Sequence, residues 1–135
     1  MIDTRCIENK NERVCCVREN KSSLYIYNNR RVPISLVTVD GCAIHEGCRC
    51  DYLIKIDGKE HYIELKGKDI EHAFDQLISS IRRLSEVQKT SIYCYIITTR
   101  SPKETTSTQR KKKELKNHCD NSPVIKNRKH CVSIE

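Results

Sequence analysis

Apolar and polar positions alternate with a period of two through two runs, Asp51 to Ile56 and Lys59 to Lys66, separated only by Asp57-Gly58. Alternation marks a strand whose two faces meet different surroundings, and Asp-Gly tolerates the positive φ that a type I′ turn needs at both central positions. The segment therefore predicts a two-residue β-hairpin. With Asp57 and Gly58 as the loop, Ile56 faces Lys59, Ile54 faces His61, Leu53 faces Tyr62 and Asp51 faces Glu64. One face gathers Tyr52, Ile54, Ile56, Ile63 and Leu65, with Cys50 and His61 beside them, and is expected to be buried. The other carries Asp51, Glu64 and, two residues farther on, Lys66, and is expected to do chemistry or face water.

After Gly67 the period changes. Ile70, Ala73, Phe74, Leu77, Ile78, Ile81 and Leu84 recur at three- and four-residue steps, which predicts an amphipathic helix capped by Asp69. His72, Gln76, Ser79 and Arg83 form a polar row on its flank, available to a ligand. Ser91 to Thr98 reads as a strand. Upstream, Leu24 to Tyr27 and Pro33 to Asp40 read as two strands joined by a basic turn at Arg30 and Arg31, and Asp3 to Val14 as a short helix. Downstream, a polar helix covers Thr105 to Cys119, followed by short strands around Val124-Ile125 and Cys131 to Ile134. This order predicts an α/β chain of the α+β kind, a mixed central sheet flanked by helices, in one domain spanning 1–135.

Composition narrows the picture. A chain of 135 residues with 37% hydrophobic content, no Trp and one Phe builds one modest core from Ile, Leu, Val, Tyr and some of its nine cysteines. No stretch has the length of a membrane span or the layout of a signal peptide, so the expected location is cytoplasmic. In that compartment the cysteines are expected to be mostly free thiols. Cys42, His45, Cys48 and Cys50 lie close enough in sequence to raise a zinc site, although their spacing matches no common finger or ribbon. The absence of a Cys-x-x-Cys pair removes the usual redox signature. A net charge of +7 and a pI near 9.0 favour a polyanionic partner, nucleic acid first. Arg82, Arg83, Arg30, Arg31 and the run Arg110, Lys111, Lys112 and Lys113 are the candidate phosphate contacts.

The hairpin supplies candidate chemistry. Directly opposed residues on antiparallel strands have Cβ atoms roughly 4.5–5.5 Å apart, close enough for two carboxylates to share a divalent cation and to repel without one. Phosphodiester cleavage needs the phosphate charge neutralised and a nucleophile made from water, and a hard cation on carboxylates can do both. An ammonium nearby stabilises the developing anion. Asp51, Glu64 and Lys66 are the minimum set.

Asp51, then Glu64-Leu65-Lys66 at the end of the next strand, then a helix bearing Gln76, resembles the PD-(D/E)XK nuclease superfamily, which includes restriction endonucleases and Holliday junction resolvases. The resemblance covers roughly residues 34–98. It implies a restriction-endonuclease-like fold and a magnesium-dependent endonuclease, more often on DNA, with Mg2+ or Mn2+ held by Asp51, Glu64 and the backbone carbonyl of Leu65. Lys66 would position or activate the attacking water, Gln76 would support the site, and a homodimer is expected. Cys50 stands where the family commonly has proline. Many members add a glutamate from a leading helix; here Glu8, Glu12 and Glu19 all qualify, as do Asp40 and Glu46 near the hairpin. The competing reading is a non-catalytic nucleic-acid-binding module on the same fold.

Overall fold

In the computed structural model, which describes residues 2–65, 69–101 and 103–134, Asp57 and Gly58 both take positive φ, 53° and 74°. The hairpin register is the expected one, with Ile56 opposite Lys59, Ile54 opposite His61 and Leu53 opposite Tyr62. Among the described residues there are nine strands, β1 (Ile7–Lys10), β2 (Val14–Glu19), β3 (Ser22–Asn28), β4 (Ile34–Thr38), β5 (Tyr52–Ile56), β6 (Lys59–Leu65), β7 (Ile92–Thr98), β8 (Val124–Asn127) and β9 (Lys129–Ile134). Two helices, α1 (Ile70–Leu84) and α2 (Thr106–Leu115), complete an α+β fold.

A six-stranded mixed sheet runs in the order β1-β4-β5-β6-β7-β8. β4, β5 and β6 form an antiparallel meander, whereas β7 lies parallel to β6 and β8 parallel to β7. The parallel pairings require crossovers, which α1 and α2 supply. α1 begins where expected: the Asp69 carboxylate accepts the His72 N–H, capping the first turn. Its stripe of Ile70, Ala73, Phe74, Leu77, Ile78 and Ile81 is buried against Val37, Leu53, Tyr62, Cys94 and Ile96 of the sheet, with Leu115 and Cys119 behind α2 in the same core. Each such fully buried aliphatic or aromatic side chain contributes about 1.5–3 kcal/mol.

The second core revises the expected layering. A separate three-stranded sheet, β2-β3-β9, covers the other face of the large sheet. Cys15, Val17, Leu24 and Ile26 from the small sheet meet Ile34, Ile54, Ile56, Ile63, Leu65, Tyr95 and Ile97 from the large one. Helices therefore flank one face only, and both faces of the hairpin are buried. Leu53 and Tyr62, on the face expected to meet water, are wholly enclosed under α1. Cys50 packs in the helix-side core, opposite the face assigned to it from sequence.

Other expectations shift for related reasons. The helix expected over Asp3 to Val14 is a 3-10 turn at Thr4–Cys6 followed by β1, because pairing with β4 at the sheet edge outweighs a weak helical pattern. The strands around Leu24 and Val37 both form, but the basic turn at Arg30 and Arg31 carries the chain from one sheet to the other instead of closing a hairpin. β3 pairs instead with β2, a strand absent from the sequence reading, and in parallel with β9. Most of the cysteines are free thiols, as expected, seven in all, while Cys6 and Cys42 form a disulfide. Among the described residues no helix is long and apolar enough to cross a membrane.

Candidate active site

The β5–β6 hairpin of the meander delivers Asp51 and Glu64 to the same place. Asp51 sits one residue before β5, held by its N–H on the Ile63 carbonyl at 3.1 Å, while its own carbonyl accepts Val39 N–H at 3.0 Å. The β5–β6 register ends at Tyr52 and Ile63, and the Asp51 N–H bonds to Ile63 rather than to Glu64, so the ladder slips by one residue there. The expected direct Asp51–Glu64 strand pairing does not form; the two acids meet through their side chains. The carboxylate is oriented by its neighbour across the hairpin: Asp51 Oδ2 accepts the Leu65 N–H at 2.8 Å.

Glu64 occupies the next-to-last position of β6, on the face that also carries Tyr62 toward α1. Asp51 is 4% exposed and Glu64 5%, unusual burial for two acids. Burial pushes the Glu64 carboxyl up to about 9, and the charge of Asp51 and a carboxyl–carboxylate hydrogen bond with it add to the rise. The carboxylate of Glu19 contributes in the same direction, and a hydrogen bond from Gln76 opposes it. Glu64 Oε1 is enclosed and finds no hydrogen-bond partner among the described residues.

Gln76 is placed by α1. It donates through Nε2 to the Arg49 carbonyl at 3.0 Å, tying the helix to the loop that precedes Asp51. The same loop is fixed by Cys50 N–H on Ser80 Oγ at 2.8 Å, with Ser80 on the adjacent turn of α1. Gln76 and His72 line a cleft of about 380 Å3 with Asp40, Gly47, Cys48 and Arg49. Ser79, Arg82 and Arg83 line another of about 330 Å3, so the polar row of α1 borders open depressions.

Of the upstream acids left open by the sequence, Glu19 is the one whose charge acts on Glu64. It ends β2, pairs with Ser22 across the two-residue loop Asn20-Lys21, and alternates onto the inward side of the small sheet with Cys15 and Val17. A signal for it was present: Asn20, at φ 51°, is a turn residue between two alternating runs. The other candidates are committed elsewhere. Glu8 pairs with Lys10 on the edge strand, and Asp40 holds Arg49 at 2.7 Å. Glu12 and Glu46 are exposed, and Glu46 offers its backbone carbonyl to Arg83.

Lys66 lies outside the described residues. The Leu65 side chain is buried in the sheet-to-sheet core, opposite the carboxylates. The four residues raised for zinc do not converge: Cys42 is bound to Cys6, His45 is exposed, and burial pushes the Cys50 thiol up to about 12. Cys48 is near enough to Glu64 for that acid to help raise its thiol, after burial and Asp75. Among the described residues no three His, Cys, Asp or Glu side chains form a metal cluster; the acids at the hairpin are a pair.

The basic residues divide. Arg82, Arg110 and Lys113 are exposed, as is Arg83, whose guanidinium donates to the Glu46 carbonyl at 2.8 Å. Lys111 is held by Asp75 of α1 at 2.7 Å and Lys112 by Glu104, so half of the run on α2 fastens that helix in place. Arg30 pairs with Asp57 at the hairpin turn, 3.2 Å away. Comparison of the chain with protein-family models, with curated proteins and with solved structures found no match.

Proposed function

We propose that this chain is a metal-dependent nuclease that hydrolyses phosphodiester bonds of nucleic acid, with DNA the favoured substrate. The observation that carries the reading is the meeting of two almost fully enclosed acids, Asp51 and Glu64, the latter with an oxygen that has no hydrogen-bond partner among the described residues. Two carboxyls buried against each other are costly unless a cation or proton compensates them. The strand order adds support: the β4–β5–β6 meander, the α1 crossover and the parallel β7 follow the arrangement that the resemblance to PD-(D/E)XK nucleases implies.

In this reading Asp51 and Glu64 hold Mg2+ or Mn2+, with the Leu65 carbonyl beside them. When bound, the cation would supply Lewis acidity at the phosphate and a more acidic water. Asp51 is preset for the task by the Leu65 N–H, and Gln76 stabilises the ionised form of Glu64 while anchoring the Arg49 loop. Lys66, two residues beyond Glu64, is the cation assigned to the water. Glu19 is the third acid. Arg82, Arg83, Arg110 and Lys113 attract the phosphate backbone. A homodimer suits cleavage of two strands by so small a domain.

A second reading, a nucleic-acid-binding module without catalysis, is favoured by the exposed Arg82, Arg110 and Lys113. One experiment separates the two. Single-stranded, duplex, branched and RNA substrates are incubated with wild type and Lys66→Ala at matched Mg2+. The nuclease reading expects wild-type cleavage that chelator abolishes and the variant lacks. Binding without cleavage of any substrate, with Mg2+ or Mn2+, assigns the second reading instead.

A further inference from the structure

The small sheet has a second face, and no part of the chemistry above uses it. Strand alternation sends Cys15, Val17, Leu24 and Ile26 inward, which leaves Arg18, Tyr25, Tyr27, Lys129 and Cys131 pointing outward. Tyr25 and Tyr27 lie two residues apart on the central strand β3 and are only half-buried. The positions flanking Tyr25 on its two neighbours are Cys16 and Cys131, both small side chains. Cations surround it: Arg18 donates to Tyr25 Oη at 2.7 Å, and Lys129 Nζ sits 4.9 Å from the centre of the Tyr25 ring. Tyr27 Oη receives the Cys131 thiol at 3.9 Å, so both phenol oxygens are tethered.

We infer that this outer face of β2-β3-β9 is a stacking platform for single-stranded nucleic acid, with Tyr25 and Tyr27 receiving successive bases and Arg18 and Lys129 the phosphates. Flat aromatic rings at alternate positions of an open central strand, flanked by cations, are what unpaired bases and their backbone need, since every base has a π-face while a duplex hides its own. Tethering the phenol oxygens holds the rings before the ligand arrives and reduces the ordering cost of binding. A solvated sheet face with two arginine-type or lysine-type cations would need no aromatic residue, and a buried one would not leave Arg18, Lys129 and Cys131 exposed.

The platform adjoins the acids through the chain itself. Arg18 points outward and Glu19 inward at the end of β2, with consecutive Cα atoms about 3.8 Å apart. A strand leaving the platform past Arg18 rounds the β2–β3 turn toward the side where Glu19 approaches Glu64. Binding itself needs neither the carboxylates nor a metal, so it stands or falls apart from the nuclease reading.

The test is fluorescence anisotropy with a labelled 12-nucleotide oligo-dT, an oligo-U of equal length and a duplex control, in chelator to prevent cleavage. Wild type should bind both single strands more tightly than duplex. Tyr25→Leu with Tyr27→Leu should weaken single-strand binding by on the order of 10- to 100-fold, whereas Tyr25→Phe with Tyr27→Phe, which keeps the rings, should stay within about threefold of wild type. Arg18→Gln with Lys129→Gln leaves the rings and should reduce the slope of log affinity against log salt by roughly 1.4. Equal affinity for duplex and single strand, or leucine variants that remain folded and bind unchanged, would overturn the platform. So would sedimentation showing a wild-type dimer that the leucine variants dissociate, which would assign the face to a second copy of the chain.

Discussion

The two ends of the β5–β6 hairpin bury the same kind of side chain in opposite ways. Near the turn, Glu60 is 2% exposed and both oxygens are engaged, Oε1 by the Tyr62 hydroxyl at 2.9 Å and Oε2 by the Glu86 N–H at 3.0 Å. Ion pairs from Lys55 to Glu86 and from Arg30 to Asp57 close that end further. At the open end Glu64 is 5% exposed, yet Oε1 has no partner among the described residues, and the charge of another acid, Asp51, acts against its ionised form. Both glutamates project from the same face of one strand. What separates them is the supply of donors, not burial: Glu60 is a structural group whose valences are met, and Glu64 holds a deficit that a cation can fill.

The sharpest break is therefore in activity. Glu64→Gln should lower Mg2+-dependent cleavage by about 10^2- to 10^3-fold, the usual scale for losing one group that stabilises transition-state charge. Glu60→Gln, assayed as the fraction of protein still folded, should leave turnover per folded molecule little changed. Equal losses in the two variants would erase the functional distinction between the hairpin ends.

The opposite face of β6 sharpens the comparison through pH. His61 stacks on Tyr93, accepts or donates at Tyr95 Oη 2.9 Å away, and is buried. Burial pushes it down from 6.5 to about 4, with Lys59 adding to the fall. Between those values the unfolded chain takes up a proton that the folded one refuses. Stability contributed by neutral His61 is thus complete above pH 6.5 and is lost as pH drops through 4, on the order of 3 kcal/mol in all. Denaturant titrations from pH 7 to 4 should show this loss in wild type and a flatter profile in His61→Gln. The effect belongs to the sheet-to-sheet core and should be indifferent to Mg2+.

Divalent cation should act only at the open end. At a free Mg2+ concentration about a hundred times Kd, a ligand that binds the folded state alone adds about 2.7 kcal/mol. A thermal melt should rise accordingly for wild type and for Glu60→Gln, and not for Glu64→Gln. An equal rise in all three would place the cation elsewhere.

Much of this was legible in the residues because local rules and tertiary packing agree. The Asp57-Gly58 turn fixes the register by its φ requirements alone, and the Ile70 to Leu84 stripe has one face that must be covered. The cap at Asp69 and the strand at Ile92–Thr98 follow the same logic. The failures lie where a partner distant in sequence decides. β1 exists because β4 offers it an edge, and β3 leaves its expected hairpin to join β2 and β9, more than a hundred residues away. No periodicity in Ser22–Asn28 announces which sheet it will enter. Glu19 could not be singled out from Glu8 and Glu12 for that reason, since the effect of its charge on Glu64 depends on one sheet packing on another. The Cys6–Cys42 bridge likewise depends on β1 lying beside the loop that follows β4.

The smallest effects test the comparison most directly, because they reverse its sign. Without divalent cation, Glu60→Gln removes a charged acceptor from two good hydrogen bonds and should cost about 2 kcal/mol, since bonds to a charged group are worth about 1.5–3 each and the amide keeps one. Glu64→Gln at the same pH should cost nothing or stabilise. Its acid has a folded value near 9 against an ordinary 4.5, so the folded state binds a proton that the unfolded state releases across that window. Wild-type stability consequently falls as pH rises from 4.5 toward 9, and a neutral amide at 64 removes that slope. Chemical denaturation at pH 8 in chelator should therefore rank Glu64→Gln at or above wild type and Glu60→Gln below it. The reverse ranking would mean that the open end is held by bonds as complete as those at the turn, and the case for a cation between Asp51 and Glu64 would go with it.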